Sequence, residues 1–153
     1  MSLTRKQWVV VLKLAKMWEF SALVTKSLLA LKHSTRNDPI ARYKLYYEHD
    51  LDAEEWFVPA MVQLVIQEEL SVAQSEQLGL AAAVRVSTLR GECSMYSALN
   101  AGLPIEPGWL TTRIRERWNI PQPPGQPATR DLPRRHAYPV MTYVPGQIFP
   151  GHV

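Results

Sequence analysis

At 153 residues the chain has the length of one domain with a tail, and its 46% hydrophobic and 20% charged content is that of a globular protein. The net charge of +3 is unevenly placed: residues 1–100 carry eleven Lys+Arg and eleven Asp+Glu, whereas residues 101–153 carry six Arg against three acids. A neutral body argues against nucleic acid as its main partner, the single Cys93 excludes an internal disulfide, and no stretch reaches the ~18 uncharged apolar residues of a membrane span.

A reducing compartment, cytoplasmic or nuclear, is the expected location. The apolar run at residues 8–12 follows Arg5 and Lys6 as a signal peptide would, but Lys13 and Lys16 interrupt it and no small-residue cleavage site follows. It reads as helix. Thr4 is a candidate cap, and Trp8, Val11, Leu12, Ala15 and Trp18 recur at helical spacing. Val10, Leu14 and Met17 widen that apolar face, so the helix is expected to be nearly surrounded by others.

Ser21 is placed to cap a second helix carrying Val24, Leu28 and Leu31 on one side, and residues 33–37 form a polar break. Asp38-Pro39 is a helix start: the Asp carboxylate accepts a bond from an orphan N–H, and Pro at the first helical position gives up nothing. Ile40, Tyr43 and Tyr47 line the helix that follows. Asp52 and Glu55 have capping-box spacing, but Pro59 deep inside a helix would remove a bond and clash with the preceding turn. A short turn over residues 52–55, with the main helix beginning near Trp56, resolves the conflict. Ser71 and Gln74 form a further capping box that leads to a stop at Gly79. A last body helix is expected over residues 80–90, ended by Gly91.

The composition changes from Gly102 onward, a stretch holding ten of the twelve prolines and five of the seven glycines. One short helix is expected near residues 108–118, with the remainder extended. The fold class is therefore all-α: a compact bundle of about six short helices over residues 1–100, followed over residues 101–153 by a Pro/Arg-rich, largely irregular tail. Residues 1–100 alone are expected to unfold cooperatively.

The order of these signals resembles one family. VLKLAKMWEF (residues 11–20), DPIARYKLYYEHDL (38–51), EEWFVPAMVQL (54–64) and EELSVAQSEQLGLAAAV (68–84) follow one another as in the helical region after the BTB fold of fungal BTB/POZ-domain proteins. The resemblance covers residues 8–90. It implies a helical protein-interaction module of an adaptor or scaffold, and it brings no catalytic residue, since none of the matched positions is chemically reactive. The BTB fold that would precede the pattern does not occur before Trp8, so the chain is expected to be a fragment or relative of such an adaptor. The acidic link over residues 52–55 is about two residues longer than in the family.

The chemical inventory agrees with a non-enzyme. Cys93, His33, His49, His136 and His152 show no metal-ligand spacing. The acids at positions 48, 50, 52, 54 and 55 lack the alternation and central Gly of a calcium loop. There is no nucleophile elbow and no Gly-rich phosphate loop. His49 beside Asp50 reads as a surface histidine at a helix end. No catalytic, cofactor or metal residue is assigned, and a protein partner is expected.

The tail supplies the candidate partner-binding residues. Pro124 and Pro127 belong to a PxxP pattern suited to SH3-type grooves. Trp109 and Trp118 with Arg113, Arg115 and Arg117 combine stacking and charge, the motive for an alternative reading as a nucleic-acid binder acting through its basic tail. Arginines at alternate positions do not share one helix face, which weakens that alternative.

Overall fold

The computed structural model describes residues 3–100, 102 and 104–123. Seven α-helices occur there: α1 (Arg5–Met17), α2 (Ser21–Ser34), α3 (Pro39–His49), α4 (Val58–Ile66), α5 (Val72–Leu78), α6 (Leu80–Leu99) and α7 (Pro107–Trp118), with a π-helical turn at Ala53–Phe57 before α4. No strand occurs among the described residues. The expected all-α bundle is what the chain forms.

Local chemistry sets most boundaries. Thr4 and Gln7 make a reciprocal capping box at α1, and Ser71 and Gln74 make another at α5. The Ala41 N–H donates to the Asp38 carboxylate at 3.0 Å, with Pro39 beginning α3. Ser21 is the first residue of α2 and not its cap; Phe20 stands at the cap position without a side-chain bond. Three helices end in a residue with positive φ that is not glycine: Glu19 (57°), Asp50 (48°) and Asn119 (53°). Around Glu19, the Phe20 N–H donates to the Ala15 carbonyl and the Glu19 N–H to that of Lys16, the paired bonds of a Schellman motif.

Pro59 explains the π turn. The Glu55 N–H donates to the Asp52 carboxylate, the Val58 N–H reaches back five residues to the Ala53 carbonyl, and Pro59 then falls in the first turn of α4. Pro59 has no N–H to offer the Glu55 carbonyl four residues back. The Arg42 guanidinium donates to that carbonyl instead, at 3.1 Å.

Two departures from expectation concern the C-terminal half. Gly91 does not end α6, which continues to Leu99. Leu89 and Cys93 are both buried on either side of it, and their burial outweighs the roughly 1 kcal/mol that a mid-helix glycine costs. The compact unit likewise runs past residue 100, as far as Gln122. Helix α7 lies against α4 and α6 and buries Leu110 and Ile114 in the main core. Arg115, buried, forms a two-bond ion pair with Glu54 of the π turn, the Nε bond being 3.0 Å. The expected boundary at residue 100 thus gives way to one after α7. Pro124 and Pro127 lie outside the described residues.

Packing divides into two clusters. The larger joins α3 to α7 around Phe57, Met61, Leu64, Val86, Leu89 and Ile114. The smaller holds the α1–α2 hairpin to the rest through Leu12, Leu31, Leu45 and Trp56.

Candidate interaction surface

The hairpin differs from the rest of the molecule in two ways. The first is apolar surface. Leu12 of α1 points into the small cluster, with Trp8 and Val9 half-buried against it, and Ala15 is buried one turn on. Val10, Leu14 and Met17, expected to widen that face, fall on the opposite side of the helix, because at 100° per residue they lie roughly half a turn from Leu12. Val10 is 55% exposed and Met17 64%. At the corner, Trp18 (57%) and Phe20 (53%) stand in solvent, their rings edge-to-face with centroids 6.2 Å apart. The expectation that α1 is surrounded therefore fails for half its circumference, and an apolar strip from Leu3 to Phe20 is left open. Single exposed apolar residues are ordinary; a contiguous strip is not.

The second difference is charge. Residues 5–36 hold seven Lys+Arg and one acid, Glu19, whereas residues 37–100 hold four and ten. The neutrality of residues 1–100 hides two opposite poles. Arg5 spans them through Asp38 at 2.8 Å, and Lys32 through Glu55 at 3.8 Å. Lys16 donates to the carbonyl of His49 at 2.6 Å. Lys6 and Lys13, seven residues apart, flank the open apolar strip on one side.

The residues expected to meet a partner on α7 are brought together, but around a carboxylate. Trp109 is half-buried against Tyr96, with ring centroids 4.7 Å apart, and the Arg113 guanidinium lies 5.8 Å over the indole. Arg113 pairs with Glu116 at 3.0 Å and approaches Glu92 at 3.9 Å, and Arg117 pairs with Glu92 as well. Arg113 and Arg117 stand one helical turn apart and share a face, and Arg115 points the other way toward Glu54. The three arginines are thus held by acids of their own chain.

The aromatic residues of the body divide by burial. Trp56 and Phe57 are buried, Tyr43 and Tyr46 half-buried, Trp18 and Tyr47 exposed. Phe57 is ringed by Tyr43, Tyr46, Tyr47 and Trp118 at centroid distances of 5.0–6.0 Å. Arg85 caps Trp118 at 5.6 Å. Partial burial, with Tyr43 and Tyr46 adjacent, pushes the Tyr47 hydroxyl up to about 12, so it stays protonated.

The reactive side chains are quiet. The buried Cys93 thiol is pushed up by burial and then by Glu92, which holds it neutral at pH 7. His49, expected at the surface, is buried instead. Burial lowers it, Lys13 reinforces the shift, and its Nε2 has no hydrogen-bond partner among the described residues. No three His, Cys, Asp or Glu side chains among the described residues converge as metal ligands. No described helix is long and apolar enough to cross a membrane. The sequence matches no protein-family model, no curated protein and no solved structure.

Proposed function

We propose that this chain is a non-enzymatic protein-interaction module of the kind that follows the BTB fold in fungal adaptors, and that it engages its partner through the outer face of the α1–α2 hairpin. The observation that carries the reading is the second apolar face of α1. A core needs only one such face, and Val10, Leu14, Met17, Trp18 and Phe20 are left to solvent. Covering the exposed half of a side chain of this size contributes about 0.7–1.5 kcal/mol, so these few positions together suffice for the centre of an interface. The surrounding lysines select a partner whose apolar surface is edged by acids. The ordered motifs of residues 8–90 support the family reading.

The test is affinity capture on the whole chain, followed by reconstitution with the purified partner. Wild type is expected to form a stoichiometric complex that Leu14→Glu or Met17→Glu weakens at least tenfold while the melting temperature stays put. A reconstituted complex that binds either variant as tightly as wild type would remove the hairpin face from the proposal. The alternative, nucleic-acid binding through the basic residues beyond 100, has less support among the described residues, because Arg113 and Arg117 already sit on Glu92 and Arg115 on Glu54; Arg130, Arg134 and Arg135 lie outside them.

A further inference from the structure

Where the end of α2 meets α3 and α4 there is an open cleft of about 510 Å³, lined by Leu29, Lys32, His33, Arg36, Arg42 and Gln63. Leu29, Lys32, His33 and Arg36 follow at helical spacing and form one face of the hairpin's second helix and the turn after it. Basic side chains in a last helical turn are ordinary, since they complement the negative end of the helix. Arg42 is not explained that way. It sits in the first turn of α3, at the end where a helix disfavours cations.

Arg42 is also buried, at 7% exposure, and no carboxylate among the described residues offsets its charge. One of its terminal nitrogens serves the Glu55 carbonyl that Pro59 leaves over. Its Nε has no partner among the described residues, and neither does the Oε1 of Gln63, which lines the same cleft. Burial pulls the guanidinium below its ordinary value with no anion to offset it. A buried cation of this kind is costly unless an anion completes it.

We propose that this cleft binds a phosphoryl dianion, held by Arg42 from within and by Lys32 and Arg36 at the mouth. The charge count selects a dianion over a lone carboxylate. Three permanent cations, Lys32, Arg36 and Arg42, line the cleft with no acid among its lining residues, and the one carboxylate partner of these cations among the described residues, Glu55, pairs with Lys32 at 3.8 Å from a largely exposed position. Arg42 lines the cleft with its Nε sealed from solvent and unpartnered behind it, and a guanidinium makes charge-assisted bonds whose geometry suits phosphate better than an ammonium does. The volume exceeds what an ion alone fills, and Leu29, 64% exposed, offers an apolar wall beside the cations. Both features fit a phosphoryl group esterified to a larger body.

The Arg42 Nε–H proton gives a direct readout, assigned by its loss in Arg42→Lys. The whole, ¹⁵N-labelled chain is titrated with a phosphoserine peptide, its unphosphorylated twin, inorganic phosphate, and sodium chloride at matched ionic strength. The expected result is a saturable shift with the phosphopeptide, weaker with inorganic phosphate and absent with chloride and the unphosphorylated twin. The exposed pair Lys32→Gln and Arg36→Gln, chosen because Arg42 also supports the fold, should each weaken binding about tenfold. An Nε–H signal that no phosphoryl probe moves, or that moves equally with chloride, would overturn the proposal. Inorganic phosphate binding as tightly as the peptide would overturn the esterified form. Vesicles bearing a phosphomonoester lipid that outcompete the peptide would support the esterified form with a lipid as its carrier.

Discussion

Replacing Gly91 with alanine distinguishes the observed helix from the one that local sequence suggests. If glycine ended a helix here, its backbone would have the left-handed geometry typical of that position, and alanine would cost about 1 kcal/mol or more. In the structure Gly91 lies mid-helix, is exposed, and has open space around a Cβ, with nothing within 4 Å. Alanine then removes only the entropic penalty of glycine, a gain of about 0.8–1 kcal/mol. For a unit of this size, with an unfolding entropy near 2.1 cal/mol/K per residue, that gain raises Tm by about 3 °C. Thermal and urea unfolding followed by far-ultraviolet circular dichroism measure it, with an unchanged urea slope showing that the surface exposed on unfolding is the same. Gly79, equally open but at φ 81°, is the internal control. Gly79→Ala should destabilise by about 1 kcal/mol. A Tm that falls for Gly91→Ala as it does for Gly79→Ala would refute the continuous α6.

Glu19→Gly at the left-handed corner between α1 and α2 should stabilise by about 0.5–1 kcal/mol, read as a rise in denaturant midpoint. His49 has a lowered pKa in the folded state, so below its ordinary value of about 6.5 the unfolded chain binds more protons. Its contribution to stability is complete above that value and is lost as pH falls toward the folded pKa; His49→Gln should flatten this part of a stability profile between pH 7 and 5. Arg115→Ala strands Glu54 and empties a buried site, and should cost about 2–4 kcal/mol in urea unfolding. A chain cut after residue 100 loses Leu110, Ile114 and the Arg115 pair, worth roughly 3–6 kcal/mol in apolar burial alone; it should melt without cooperativity in calorimetry, and a chain cut after residue 123 should melt as one transition.

Helix starts were legible because their chemistry is local. Thr4, Asp38 with Pro39, and Ser71 with Gln74 each satisfy N–H groups within three residues, so nothing distant decides them. The turn before α4 followed from the conflict between Asp52 and Pro59, although the π form it takes did not. What stayed hidden depends on partners far along the chain. Gly91 carries a local stop signal that is overridden by the burial of Leu89 and Cys93. Leu110, Ile114 and Trp118 repeat every four residues, but the arginines and prolines around them give that stretch the composition of a tail. Its place in the core depends on surfaces that α4 and α6 present 20 to 50 residues earlier in the chain. For the candidate surface, composition averaged over residues 1–100 concealed the basic hairpin against an acidic remainder. The buried, uncompensated Arg42 has no sequence signal at all, because burial is a property of the assembled helices.

The two candidate binding features lie on the same pole of the molecule, and this bears on how a partner would be held. The hairpin is fastened to the rest by a small apolar cluster and by Arg5 to Asp38, Lys16 to the His49 carbonyl and Lys32 to Glu55. The exposed ion pairs among these contribute little each, so the hairpin's position rests mainly on Leu12, Leu31, Leu45 and Trp56. An acidic partner on the outer face of α1 would compete with Asp38 and Glu55 for the hairpin's cations only at the ends of α1 and α2. The apolar strip itself faces away from those contacts. Docking there can therefore add burial without undoing the fold, and an anion between Lys32 and Arg42 would tighten the same junction from the other side.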